Sequence, residues 1–511
     1  MTRTNVILAH DLGTTGNKAT LFDPTDGRTL ASTFFPYETS YPHPNWAEQD
    51  PANWQTAICS CTRHLLDKAA ISPGDIAVVC FSGHMQAALL VDRQGEPLHP
   101  AIIWADQRAT RQANHIEYVA GAEVIYRLTG SRVSPAYTTA KLLWLKENVP
   151  ELYRRGYRTL QPKDYAAFLL TGVMATDYSD ASGTQAMNLA RRVWAVELLH
   201  AIGLDPNLFP ELHPSTDVIG AVSREAADAT GLKAGTSVVI GGGDGACATV
   251  GAGVVAEGDA YTYVGSSAWI GMSTTQPVFD PAQRTITFAH LDPNLYFPVG
   301  NMQAAGGAYG WLEGLWRHPT DHGPLFAEMD RLAEDVPVGA RGLLFLPHLM
   351  GERSPYWNPL ARGAFVGLAM PHGRAEMTRA VLEGVAFNLR LILDALNGQG
   401  VHLDAMRLIG GGARSPLWRQ ILADIYQLPI QLPELPIEAT SLGAAIAGGI
   451  GVGIFPDFSV VQRLVPTRET EVPDSNRVRR YQDIYSLFQK TYQALEPVFA
   501  ELSELAEDVG D

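Results

Sequence analysis

Two short apolar runs, Val6–Ala9 in one half of the chain and Tyr261–Val264 in the other, each lead into a turn rich in Gly, Ser and Thr. The first turn is Asp11-Leu12-Gly13-Thr14-Thr15-Gly16 and the second is Gly265-Ser266-Ser267. Extended structure is expected to resume after each, over Lys18–Phe22 and Ala268–Met272. A strand–glycine turn–strand unit that recurs once per half predicts two lobes of related α/β build, gripping one phosphate chain between them. A chain of 511 residues suits this reading, because a single core stops growing beyond about 250–300 residues. The boundary is expected near residues 250–258, giving one domain over residues 1–252 and another over residues 253–511.

Further elements follow from local signals. Asp50-Pro51 starts a helix, with Asp as N-cap, Pro in the first turn, and Trp54, Ile58 and Leu65 on one stripe. Ile76–Phe81 and Val238–Gly241 read as buried strands, and Ala101–Trp104 as a strand-like run leading to Asp106 and Arg108. Residues between Arg108 and Leu170 are mainly helical in pattern, as are Pro416–Tyr426 and a terminal stretch, Val478–Glu507, that packs on the outside. Ser237–Ala256 and Thr440–Phe455 are glycine-rich, and read as packed turns joined to buried strands or helices, not as membrane spans.

Candidate chemistry lies where strands end. Glycine lets several backbone N–H groups converge on one anion, so the Gly13 turn is a candidate phosphate cradle, with Thr14 and Thr15 as hydroxyl donors and Lys18 as a cation. Asp11 has no obvious cationic neighbour in sequence, which suits a carboxylate facing hydrated Mg²⁺. An ordinary hairpin turn is the plainer alternative for that segment. Asp244, set among Gly241, Gly242, Gly243 and Gly245, is a candidate general base toward a substrate hydroxyl, the alternative being a turn Asp that bonds its own loop. Gly410-Gly411-Gly412 would let a flat base or ribose lie on bare backbone. Met85 and Gln86 could line a polyol site, whereas His84 reads as a satisfied buried polar residue. Trp104, Asp106 and Arg108 fit either a sugar contact or a structural ion pair, and Trp46 and Trp54 read as core.

Composition excludes some classes. A net charge of −16 argues against general affinity for nucleic acid or anionic membrane, so a bound anion must be held by local groups. Four cysteines, Cys59, Cys61, Cys80 and Cys247, have neither metal spacing nor a disulfide pattern, and the short Val6–Ala9 run is not a signal peptide. A soluble, cytoplasmic protein is expected.

Several ordered segments, from Asp11 to about Gly449, resemble the FGGY-type carbohydrate kinases, and within them most the xylulose kinases. They include Asp11–Gly16, Pro44–Pro51, Lys141-Leu142-Leu143-Trp144, Pro162-Lys163-Asp164-Tyr165, Asp180–Thr184, Gly241–Asp244, Gly351-Glu352-Arg353, Leu382-Glu383-Gly384 and Gly410–Ser415. The resemblance implies two actin-like, ribonuclease-H-like domains closing over ATP and sugar. It implies Asp244 as catalytic base, Asp11 as the acid that organises Mg²⁺, and phosphate contacts from Thr14, Thr15 and Ser266, to which the turns themselves add Gly13, Lys18, Gly265 and Ser267 as candidates. Gly306, Gly411 and Ser415 match positions that hold the nucleotide, and Met85 and Gln86 match the sugar-contact pair. Gly412 is a further candidate beside the nucleotide, and Trp104, Asp106 and Gly245 are further candidates beside Asp244 and the sugar. D-Xylulose is the implied acceptor and a homodimer the family habit. The chain departs from xylulose kinases at Gln86, where they carry His, and at Gly245, where Asn or Gln is usual. The Arg-Glu pair of glycerol kinases is absent. Ribulose, gluconate or another open-chain acceptor stays open, as does an actin-like ATPase switch without a sugar pocket.

Overall fold

A computed structural model describes residues 5–318, 323–434 and 439–507. Its frame is two mixed sheets. The first contains β1 (Val6–Leu12), β2 (Gly16–Phe22), β3 (Thr29–Pro36), β4 (Ile76–Gly83), β5 (Val218–Ala221) and β6 (Ser237–Gly243), in the order β5-β6-β4-β1-β2-β3. The second contains β7 (Ala260–Val264), β8 (Ala268–Met272), β9 (Ile286–Ala289), β10 (Tyr296–Met302), β11 (Met406–Ile409), β12 (Ile430–Pro433) and β13 (Thr467–Glu471), in the order β9-β10-β8-β7-β11-β12-β13. Strand directions repeat. In the first sheet β1 runs antiparallel to β2 and parallel to β4, which is parallel to β6. In the second, β7 is antiparallel to β8 and parallel to β11, which is parallel to β12. The two glycine turns thus occupy matching places, each joining the first two strands of its sheet.

Local sequence explains the layers. β1 alternates, with Val6, Leu8 and Leu12 facing one side and Ile7 and Ala9 the other, so the sheet needs cover on both faces. α1 (Pro51–Ala69) covers the first face with Trp54, Ala57, Ile58, Cys61 and Leu65, and starts where Asp50 accepts a hydrogen bond from the Ala52 N–H. The second face is covered by one helix of the same lobe and one from the far half of the chain. α2 (Asp244–Gly251) and a later helix, Ala439–Gly451, cross against each other, and the later one lies on β1, β4 and β6. Their backbones touch: a Cβ at Gly251 would stand 1.7 Å from the Ala439 carbonyl oxygen, and one at Gly443 would stand 1.9 Å from that of Cys247. That later helix is α5 (Ala439–Gly451), preceded in the second lobe by α3 (Arg374–Asn397) and α4 (Pro416–Tyr426) and followed by α6 (Ser475–Glu507).

Some expectations shift in detail. The strand expected over Ala101–Trp104 stops at Ile102, because the Asp106 carboxylate captures the Ala47 and Arg108 N–H groups and turns the chain. Glycine-rich Thr440–Phe455 is mostly the α5 helix, whose small residues permit the close crossing with α2. α6 lies outermost as expected, yet its inner face (Tyr481, Ile484, Phe488, Tyr492, Phe499) belongs to the core of the second lobe. No helix among the described residues is long and apolar enough to cross a membrane.

Candidate active site

Three parallel strands deliver the acidic centre. Register places Asp11 of β1 beside Ser82 of β4, and Ser82 beside Gly242 of β6, so the strands end together. Carboxyl ends of parallel strands are where α/β sheets meet ligands. Asp244 follows β6 directly and is the first residue of α2, where its carboxylate accepts a 2.7 Å hydrogen bond from the Gly245 N–H. Desolvation in this recess, reinforced by the Asp11 charge, pushes the Asp244 carboxyl up to about 7. Asp11 is not remote from cations: the antiparallel register sets Lys18 directly across from it on β2, with the two side chains on the same face.

The first turn is closed by the Gly13 N–H, which donates to the Asp11 and Gly16 carbonyls at 3.1 and 3.0 Å. Its outer carbonyls are held as well. Tyr37 donates to Gly13 O and Gln49 to Thr14 O, while Trp104 Nε1 donates to Thr14 Oγ1 at 2.9 Å. Thr15 is exposed, and Thr14 and Lys18 are half-buried. In the second lobe Gly265 N donates to Ser267 O, and Gly306 N donates back to Gly265 O at 2.8 Å. Any Cβ at Gly306 would come within 2.4 Å of that carbonyl, and one at Gly410 (φ 89°) within 2.6 Å of Val264 O. The second turn, Gly306 and Gly410–Gly412 therefore gather at the end of β7, with Ser266 and Gly411 exposed. Next to them Arg414, Arg419, Arg468, Leu432 and Pro433 line a recess of about 250 Å³. Ser415 is the N-cap of α4, its hydroxyl accepting from the Trp418 N–H, so its side chain already has a structural duty.

The expected sugar segments meet the same strand ends. Met85 is buried against Gly183 and Gly243, and Gln86 stands in the left-handed region at φ 69°. Lys141, fully buried, donates to Gln86 O and Ile103 O at 2.8 Å each and so ties the two segments together. Burial pushes its ammonium down to about 7. His84 is buried against Trp54 and the Gln49 amide oxygen, with burial pushing its imidazole down to about 3, and is thus a neutral core residue. Trp54 is core, whereas Trp46 is half-buried under the Arg108 guanidinium, 3.6 Å from the ring centre. Asp106 falls on the ion-pair side of its two readings. Its carboxylate is fully buried and takes Arg108 through both oxygens plus the Ala47 N–H, which leaves it as a brace behind Trp104 and not an open acceptor contact. Gly245, whose Cβ would lie 3.2 Å from the Phe297 ring, brings the second lobe against the base of Asp244.

Behind this surface lies a charge cluster to which sequence reasoning gave no role. Lys163 Nζ sits 2.6 Å from Asp164, 3.0 Å from Asp177 and 3.6 Å from Asp180, all closed to solvent. Burial pushes the Asp180 carboxyl well above the usual range. Asp177 accepts from Ser179 Oγ, which accepts in turn from the Gly243 N–H at 3.0 Å, so the cluster holds the residue preceding Asp244. The only local signal for it was a lysine inside an otherwise apolar helical stripe, Pro162–Thr171.

The acidic pair at the strand ends has the chemistry that Mg²⁺ takes. Among the described residues no three His, Cys, Asp or Glu side chains gather as an all-protein metal cage. Mg²⁺ instead takes one or two carboxylates with phosphates and water, and Asp11 beside Asp244 supplies such a pair.

Residues 6–251 match the family model described as the FGGY family of carbohydrate kinases, N-terminal domain, and residues 260–452 match the C-terminal domain of the same family. The chain is 34% identical over 496 residues to the xylulose kinase of Escherichia coli (strain K12), covering 96% of this chain and 99% of that one. A crystal structure of gluconate kinase from Lactobacillus acidophilus superposes with a TM-score of 0.91 at 28% identity, covering 98% of this chain and 99% of the other. The ligand-bound xylulose kinase of the same organism gives 0.90 at 29% identity, covering 98% and 100%.

Proposed function

This chain belongs to the FGGY family of carbohydrate kinases, and on that premise we propose that it transfers the γ-phosphoryl group of ATP to the terminal primary hydroxyl of a small open-chain sugar. D-Xylulose is the first acceptor in this proposal, giving D-xylulose 5-phosphate and ADP. One observation carries it: a carboxyl group held near neutrality at the strand ends of one lobe, beside the second lobe. Asp244 accepts the hydroxyl proton as the acceptor oxygen bonds to the γ-phosphorus and the bond to the β-phosphate oxygen breaks. The Gly13 and Gly265 turns, with Lys18, hold the phosphates, and the bare backbone at Gly306 and Gly410–Gly412 takes the nucleoside. Asp11 would hold Mg²⁺, which when bound would neutralise phosphate charge. Met85, Gln86 and Trp104 line the acceptor side. The four cysteines are unpaired, which agrees with a cytoplasmic setting.

Gluconate is the second reading, supported by the Gln86 and Gly245 departures and by the likeness to a gluconate kinase. ADP release with Mg·ATP is the test, run against D-xylulose, D-ribulose, D-gluconate and alditols with a no-acceptor control. Stimulation by xylulose supports the first reading, and stimulation by gluconate alone moves the acceptor. Turnover indifferent to every acceptor sinks the kinase proposal.

A further inference from the structure

One second-lobe arginine reaches the first lobe with no hydrogen-bond or ion-pair partner for its guanidinium among the described residues. Arg353 belongs to the second-lobe loop Gly351-Glu352-Arg353, and its guanidinium carbon stands 5.7 Å from the ring centre of first-lobe Trp104. That ring is fixed through its 2.9 Å hydrogen bond to Thr14 of the first turn. The loop is built to hold this pose. The buried Glu352 carboxylate accepts from Gln303 N, Arg353 N, Asn388 Nδ2 and His348 Nδ1 at 2.8–3.2 Å, so both of its oxygens are committed to anchoring. The Arg353 guanidinium itself makes no hydrogen bond or ion pair with any described residue. Burial holds its pKa below the ordinary value, opposed only by Tyr137 and the already engaged Glu352.

Glu352 apart, no carboxylate among the described residues acts on it, and none lies within ion-pair distance. Tyr137, buried, lies in the field of both Arg353 and Arg132. Arg132 packs over Trp357 at 5.2 Å and donates to Gln283 O, again without an acidic partner within ion-pair distance. Arg353 is half-buried, and a guanidinium that gives up part of its hydration with no anion beside it gains most from an anion that takes the place of the lost water. Arginine's planar fork also matches carboxylate and phosphate oxygens in bidentate fashion.

We propose that Arg353 is a ligand-binding residue, a cation of the second lobe that closes onto an anionic oxygen of the bound substrates beside Trp104 and Thr14. Two substrates offer that chemistry: the carboxylate of a sugar acid, and the phosphoryl group being transferred. The proposal rests on the kinase reading for its ligands, and the experiment separates the two.

Arg353→Met and Arg353→Lys are compared with the wild-type enzyme in ADP release with D-gluconate and with D-xylulose, and in calorimetric binding of D-gluconate and of Mg·ATP. A loss confined to gluconate, with KM raised about 10-fold or more and partial rescue by Lys, assigns the carboxylate. A fall of about 10²–10³-fold in kcat with any acceptor used assigns the phosphoryl group. Thermal unfolding adds a readout that a structural arginine would move the other way: Arg353→Met is expected to unfold at the wild-type temperature or above it. Turnover and binding within twofold of wild type, or a lowered unfolding midpoint with turnover and binding retained, overturns the proposal. If the wild type shows no acceptor-stimulated turnover, the kinase reading fails instead, and unchanged gluconate and Mg·ATP affinity in Arg353→Met still overturns the role of Arg353.

Discussion

A carboxylate that is to take a proton at neutral pH must be less acidic than one in water, and burial beside a second negative charge achieves this for Asp244. Asp244→Asn is expected to lower kcat by about 10²–10⁴-fold while Mg·ATP affinity, read by calorimetry, changes little. The sign of the pH dependence follows. The base form dominates above about 7, so kcat/KM rises through pH 7 and falls away below it, and an Asn variant loses that limb. Stability runs the opposite way: the folded state holds the Asp244 proton more tightly than the unfolded chain, so this group's stabilising share is lost as pH climbs from about 4 to about 7. Unfolding midpoints of wild type and Asn variant across that range would show it. Lys163→Met would leave Asp164, Asp177 and Asp180 facing one another without their cation, and a loss of about 3–5 kcal/mol is expected, read as a lowered denaturation midpoint. The glycines around Asp244 announced it in sequence. Lys163 and Arg353 were hidden because their meaning depends on residues far away in the chain, or in the other lobe.

Elements were legible where short-range signals agree. Both glycine-turned hairpins, the Asp50–Pro51 start of α1 and the Ser415–Pro416 start of α4 stand where sequence places them, since caps, turns and apolar runs act over a few residues. Ala101–Trp104 was less legible, because a buried carboxylate three-dimensionally opposite Ala47 decides where that strand stops. The crossing of α2 and α5 could not be read at all: glycine-rich composition is visible, but which backbone it meets is not. Gly443→Ala puts a methyl group against the Cys247 carbonyl and is expected to destabilise by about 1–3 kcal/mol or more. A matching loss of acceptor-stimulated turnover is expected, since α2 carries Asp244 at its first position. Circular dichroism melting with parallel ADP release checks both.

At the scale of the molecule, each lobe carries one glycine turn. The Asp11–Asp244 pair and the proposed acceptor residues Met85, Gln86 and Trp104 sit on the first lobe, the bare backbone at Gly306 and Gly410–Gly412 sits on the second, and the lobes meet through α2 and α5. Closure of the lobes in the proposed reaction would exclude water and so limit idle hydrolysis of ATP. Small-angle scattering should record a smaller radius of gyration with acceptor and a non-hydrolysable ATP analogue together than with either alone. An unchanged radius would argue against closure. The duplicated build was legible in the repeated turn motif, whereas the exchange of cover between lobes was not.

That exchange has a consequence for how the chain is made. One face of the first sheet, with Ile7, Ala9, Val78, Cys80 and Val239, is sealed largely by α5 and the segment through Val465, beside Ala246, Cys247 and Val250 of α2. Roughly 200 residues separate the last strand of that sheet from its cover, so at ribosomal rates the nascent lobe waits on the order of 10–40 s with an apolar face bare. Birth of this protein is therefore a period of exposure, and a holding chaperone should bind the arrested N-terminal portion far more readily than the finished chain.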